Sequence, residues 1–183
     1  MTNFQDNGYI IQKKPVSDYC GVDGENWYLN YLSDKTYFEE FYDENIDKAW
    51  ADSNYVDCCS DVEYMRFYIE ESKRLGIECK VLLCSTAKKE PRLESHDLGQ
   101  MGNVLGYDYA YSGGSYYSCV LNDIISGRIQ EFSEIRLNEN GLFDSYEEAE
   151  AFQLFREKIK RTNLSYEFEE GDFIIYKITE VCI

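Results

Sequence analysis

Proline is nearly absent from this chain, with 2 residues in 183, and glycine contributes only 12. That excludes collagen-like and proline-rich low-complexity architectures. Long apolar runs are also missing. The longest are a few residues, such as Val81-Leu82-Leu83-Cys84, far short of the roughly 18 or more a transmembrane helix needs. The start, Met1-Thr2-Asn3-Phe4-Gln5-Asp6, has no basic stretch followed by an apolar one, so no secretory signal is expected. Histidine occurs once, at His96, and there is no CxxC pair. A structural zinc site needs four ligands at motif spacing, and no such set can be assembled. Basic residues are scarce: 18 Lys and Arg stand against 35 Asp and Glu, for a net charge of −17. Nonspecific binding to nucleic acid requires local Lys and Arg to displace counterions, and anionic membranes attract basic segments. Neither is an expected partner. A basic protein is, because opposite fields steer encounter. The same charge also serves plain solubility.

What is present in abundance is aromatic. Phe, Tyr and Trp make up 16% of the chain, within a hydrophobic share of 44%. That composition buries large areas per residue and excludes a disordered chain. The length fits one domain, 1–183. The cysteines number seven, Cys20, Cys58, Cys59, Cys79, Cys84, Cys119 and Cys182. An odd count without a signal segment predicts reduced thiols and a cytoplasmic location.

Periodicity predicts an α+β fold, with a mixed or antiparallel sheet packed against helices. Tyr9–Gln12 reads as a first strand and Trp27–Leu32 as a second, with turns at Pro15 and Gly21–Gly24. Phe38, Phe41 and Tyr42 share a helical spacing. The clearest helix runs over Asp61–Leu75. Ser60 and Glu63 form a capping box, Val62, Met65 and Ile69 make the buried stripe, and Gly76 suits the C-terminal stop. A strand over Ile77–Ser85 follows, interior because Val81–Cys84 is continuously apolar. Lys88–Gly102 reads as a loop. Val104–Tyr111 is a strand with Tyr107, Tyr109 and Tyr111 on one face and Asp108 opposite. Ser115 is placed to cap a helix over Tyr116–Ile125. After the Leu137–Gly141 turn, Asp144 and Glu147 predict the start of a helix over Ser145–Arg161, with Ala149, Phe152, Phe155 and Ile159 inward. Two alternating runs about the turn at Glu170-Gly171 predict a C-terminal β-hairpin over Leu164–Val181.

Among constellations with chemical potential, the segment Asp34–Glu63 stands first. It holds ten carboxylates against Lys35 and Lys48, interspersed with aromatic residues. Carboxylates supply field and direction, and aromatics supply contact area. Glu39, Glu40, Asp43, Glu44 and Asp47, with Tyr42, Trp50 and Tyr55, are the candidate partner-binding residues. The competing reading is an amphipathic helix with a solvated acidic face. Nothing singles out two carboxylates for glycosidase-like acid–base work. Asp18–Glu25 and Asn138–Asp144 offer oxygen ligands without an EF-hand pattern. A thiol nucleophile needs a base, and only His96 qualifies, with Cys84 or Cys119. Both thiols read more simply as small buried hydrophobes. The run from Tyr107 to Tyr117, with Gly113-Gly114 inside it, is no P-loop, because the Gly-Lys-Ser/Thr ending is missing. Its tyrosines suit either a ligand platform or the packing of a strand against a helix.

This run, Leu105-Gly106-Tyr107-Asp108-Tyr109-Ala110-Tyr111-Ser112-Gly113-Gly114-Ser115-Tyr116-Tyr117-Ser118, is followed by Leu121-Asn122-Asp123 and then Leu137-Asn138-Glu139-Asn140-Gly141-Leu142-Phe143. It resembles a segment of small bacterial proteins found beside polymorphic or contact-dependent toxins. The resemblance spans about Val104–Ile159. It implies a cytoplasmic immunity protein that binds a cognate toxin domain and blocks it. It rests on Tyr107, Asp108, Gly113, Gly114, Tyr116, Asn122 and Asp123, and implies that these mark the scaffold while specificity lies elsewhere, as in Glu39–Asp57. Nuclease toxins have basic clefts, which an acidic inhibitor suits. The expectation is therefore a non-enzymatic inhibitor without cofactor. The alternatives are another acidic interaction or housekeeping protein, or a small-substrate enzyme using Cys84 or Cys119 with His96. Rapid alkylation of native lysate followed by intact-mass measurement checks the thiol reading: it should return reduced protein, and mostly disulfide-linked protein would refute it.

Overall fold

The computed structural model describes residues 2–13, 62–75, 79–87, 98–111, 117–118, 132, 134–162 and 171–183. The elements are β1 (Gln5–Lys13), α1 (Val62–Leu75), β2 (Cys79–Thr86), β3 (Gln100–Tyr111), β4 (Tyr117–Ser118), α2 (Tyr146–Thr162) and β5 (Phe173–Cys182). The strands form one sheet in the order β1-β2-β5-β3-β4, and every neighbouring pair is antiparallel. This is an α+β fold.

The apolar run Val81–Cys84 is interior, as its composition predicts. β2 lies between β1 and β5, and Val81 to Thr86 are all buried. Strand periodicity then sorts the core into two faces. On one face Ile10, Leu82, Cys84, Ala110, Ile174, Tyr176 and Ile178 cluster with Leu142. On the other, Tyr9, Val81, Leu83 and Val181 receive Met65 and Ile69 of α1. Farther along that second face, Tyr109 and Ile175 receive Ala149, Phe152 and Ile159 of α2. Both helices therefore sit on the same face, over opposite ends of β5.

β5 is the sheet's central strand. Phe173 through Cys182 pair with β3, and Tyr176 through Val181 pair with β2. The second arm of the expected hairpin is thus present. Its first arm, Leu164–Glu169, lies outside the described residues, as do Trp27–Leu32, the 34–47 segment, Ser60 and Gly76.

Three local expectations change, and one side chain falls outside them. Tyr117 and Ser118 are strand, not helix: they pair with Tyr111 and Ala110. The Ser118 hydroxyl donates to the Asp108 carboxylate at 2.9 Å, a tertiary bond that outweighs the helical spacing. β3 begins at Gln100, inside the stretch read as loop. Its neighbour Gly99 is there for close approach, since a Cβ would come within 2.2 Å of the Cys182 carbonyl. The cap of α2 is Ser145, one residue later than Asp144. Its hydroxyl accepts from the Glu148 amide at 3.2 Å, while the Glu148 carboxylate accepts from the amides of Ser145 and Asp144. That is a reciprocal capping box. Finally, Arg156 is buried on the inner face of α2, its guanidinium 4.8 Å from the centroid of the Phe173 ring.

The turn before α2 is closed by Asn138. Its side-chain oxygen accepts from the amides of Asn140 and Leu142 at 3.0 and 3.1 Å, and its amide nitrogen donates to the Leu105 carbonyl at 2.9 Å. Gly141 at φ 70° makes the reversal. The turn seats against Gly106, where φ is 149° and a Cβ would lie 2.6 Å from the Phe143 carbonyl oxygen. Gly106→Ala should therefore destabilise the protein by about 1–3 kcal/mol or more, and Asn138→Ala by about 1–3 kcal/mol. Urea unfolding of both variants measures this. Wild-type midpoints for both would refute the role given to the turn.

Candidate functional site

The turn at Asn138 does more than reverse the chain. It delivers Phe143 to β3, where the Tyr107 amide donates to the Phe143 carbonyl at 2.8 Å and the Phe143 amide donates back at 2.9 Å. Three residues on, α2 begins at Tyr146. The bridge thereby sets Tyr146 beside Tyr107, with ring centroids 6.2 Å apart and planes at 80°. Phe4, just before β1, completes a triad. Its ring lies 5.9 Å from that of Tyr107 and 5.7 Å from that of Tyr146. All three residues are half-buried.

The triad closes one end of a cross-strand row. Asp6 pairs with Ser85, Ser85 with Lys177, and Lys177 with Tyr107, so these side chains share the helix-bearing face. Ser85 donates to Asp6 at 2.6 Å. The Lys177 ammonium stands 5.1 Å from the Phe4 ring centroid, within cation–π range. In the same part of the sheet the side-chain oxygens of Gln5, Asn7 and Thr179 are buried without a hydrogen-bond partner.

Carboxylates surround the triad on the helix side. Asp144, Glu147, Glu148 and Glu150 are exposed. Glu148 is engaged in the cap, and Asp144 accepts from Asn138 at 3.1 Å. Burial raises the Tyr146 phenol above its ordinary pKa, and the charges of Glu150 and Glu147 raise it further. Both carboxylates thus act electrostatically at this ring.

Of the residues singled out from sequence, Tyr107 and Asp108 are described. Tyr107 joins the triad. Asp108 faces the other way, fully buried against Ser118, so the two neighbours serve opposite faces as alternation predicts. The tyrosines pack a strand against a helix, but the helix is α2: Tyr109 meets Phe152 at 6.2 Å. Glu39, Glu40, Tyr42, Asp43, Glu44, Asp47, Trp50 and Tyr55 lie outside the described residues. So do Gly113, Gly114, Tyr116, Asn122 and Asp123, and also Cys119 and His96. Cys84 is fully buried among Ile10, Leu82 and Ile178, the surroundings of a small apolar side chain. Sequence reasoning missed Phe4, Tyr146 and Lys177. The signal for Lys177 was its alternation in the last strand, but nothing local joins residues 4, 107 and 146.

Among the described residues no helix is long and apolar enough to cross a membrane. No protein-family model matches the chain, and comparisons with curated proteins and with solved structures give no match.

The Asp108–Ser118 pair is a test of scaffold function in the motif. Asp108→Ala and Ser118→Ala should each destabilise the fold by about 1–3 kcal/mol, because either leaves a buried polar group short of a partner. The double variant should cost less than the sum of the two. Additive losses in chemical denaturation would show that the bond contributes nothing.

Proposed function

We propose that this chain is an immunity-type inhibitor that binds a cognate bacterial toxin domain in the cytoplasm and neutralises it. The observation that carries the reading is the union of charge and aromatic content. A net charge of −17 includes ten carboxylates within Asp34–Glu63, interleaved with Tyr37, Phe38, Phe41, Tyr42, Trp50 and Tyr55. Long-range charge accelerates and orients encounter with a basic surface, while desolvated aromatics supply most of the affinity. A nuclease domain, with a basic cleft for phosphates, is the toxin class this chemistry suits best.

The resemblance of Leu105–Ser118 and Leu137–Phe143 to immunity proteins supports the same reading. Several residues carrying it do scaffold work: Tyr107 holds Phe143, Asp108 holds Ser118, and Asn138 closes its turn on Leu105. A recurring scaffold with a variable contact surface is what a family of inhibitors matched to different toxins requires.

Co-expression with a candidate toxin domain, should a neighbouring reading frame encode one, is the direct test. The chain should rescue growth and co-purify with that domain. Equal killing with and without the chain, together with no complex at micromolar concentration, would refute the reading for that pair. In the bound pair, reversing Glu39, Glu40 and Asp43 to lysine should slow association and flatten its salt dependence. Replacing Trp50 by alanine should instead hasten dissociation, at a cost of about 2 kcal/mol or more.

A further inference from the structure

We infer that the half-buried triad Phe4, Tyr107 and Tyr146, flanked by Glu147 and Glu150, is a docking surface for an arginine- or lysine-bearing segment of a protein partner. The inference rests on the proposed inhibitor function for who that partner is. It adds a contact surface separate from Glu39–Asp57.

The ring geometry comes first. Tyr146 stands edge-on to both Phe4 and Tyr107, with planes at 78° and 80°. Aromatic rings present a negative face and attract cations placed over it. Lys177 already uses Phe4 in this way, with its ammonium 5.1 Å from the ring centroid. Charge selects the ligand. Glu147 and Glu150 are exposed on α2 beside Tyr146, and their field reaches its phenol. The other nearby carboxylates are engaged: Glu148 in the cap, Asp144 with Asn138, and Asp6 with Ser85. Lys177 borders the triad on its Phe4 side. An incoming guanidinium or ammonium would therefore be drawn to the Glu147–Glu150 side. A second copy of this chain is a poor occupant, because each copy carries −17.

Rigidity completes the case. Tyr107 is held by paired backbone bonds to Phe143, and Tyr146 opens a helix fixed by a capping box. A preorganised surface loses less entropy on binding. Salt bridges alone at exposed positions contribute little, so the rings must carry much of the affinity.

The test uses the full chain, with a hexa-arginine peptide as probe, titrated calorimetrically at about physiological ionic strength. Two double variants carry the same change in net charge: Glu147→Lys with Glu150→Lys at the triad, and Glu63→Lys with Glu70→Lys on α1. The triad pair should weaken binding about tenfold more than the α1 pair, and Tyr146→Ala should weaken it by about tenfold without altering charge. Tyr146→Phe, which keeps the ring, should bind as the wild type does, and circular dichroism confirms that each variant is folded. Equal losses from the two charge pairs, or wild-type affinity in folded Tyr146→Ala, would overturn the inference. Failure of the unmodified chain to rescue growth would refute the toxin reading and leave the peptide affinities as measured. Conversely, rescue at full affinity by the triad variants would remove this surface from the toxin interface and leave the inhibitor reading standing.

Discussion

The last strand holds the sheet together. β1 and β2 form one ladder, β3 and β4 another, and β5 joins them by pairing with β2 on one side and β3 on the other. Until β5 is in place, the two ladders share no backbone bonds among the described residues. Such long-range pairing requires loop-closure entropy to be met before its contacts stabilise anything. The side chains of β5 provide for this. Ile174, Ile175, Tyr176, Ile178, Thr179 and Val181 are all buried, and between them they enter all three core clusters. A strand covered on both faces yields more apolar burial per residue than an edge strand.

The register of β5 also fixes what lies between the helices. Val181 belongs to the cluster under α1 and Ile175 to the cluster under α2. Thr179 and Lys177 fall between them on the same face. Between these two clusters the strands turn polar: Asp6, Ser85 and Lys177 form the row that ends at Tyr107. The aromatic triad thus follows from sheet register together with the Asn138 turn. A one-residue slip of β3 against β5 would place Asp108 on the helix side and turn Tyr107 toward the face of Tyr176 and Ile178. The bridge to Phe143 and the positive φ of Gly106 oppose that slip.

Much of this was legible locally. The Val62–Met65–Ile69 stripe, the apolar run of β2 and the Tyr107–Tyr109–Tyr111 alternation each state a period that the fold obeys. What local reading misplaced was decided elsewhere in the chain. Tyr117 and Ser118 have acceptable helical spacing, but a buried carboxylate ten residues earlier binds the Ser118 hydroxyl and draws the segment into the sheet. Asp144 and Ser145 are both good caps, and Glu148 decides between them because it reaches the Ser145 amide. Arg156, outside the apolar stripe of α2, packs inward with its planar guanidinium over Phe173. The triad was the least legible feature. Phe4, Tyr107 and Tyr146 are scattered in sequence, and Phe4 meets the other two although β2 and β5 lie between β1 and β3 in the sheet.

The same physical pairing recurs at two scales. Across the whole chain, a charge of −17 acts over a Debye length, about 8 Å at physiological salt, and would set how often and in what orientation a basic partner of the kind proposed arrives. At the proposed docking surface, rings and carboxylates within a few ångströms would act only after water is displaced, and would govern how long such a partner stays. Divergence between the two is tolerated differently. Surface acids can be redistributed with little effect on folding, since exposed charges contribute little to stability. Tyr107 cannot change so freely, because its ring packs against Tyr146 and Phe4. If the proposed inhibitor function holds, such a chain could retune its encounter with a changing partner by redistributing surface charge, while the aromatic triad stays tied to the register of the sheet.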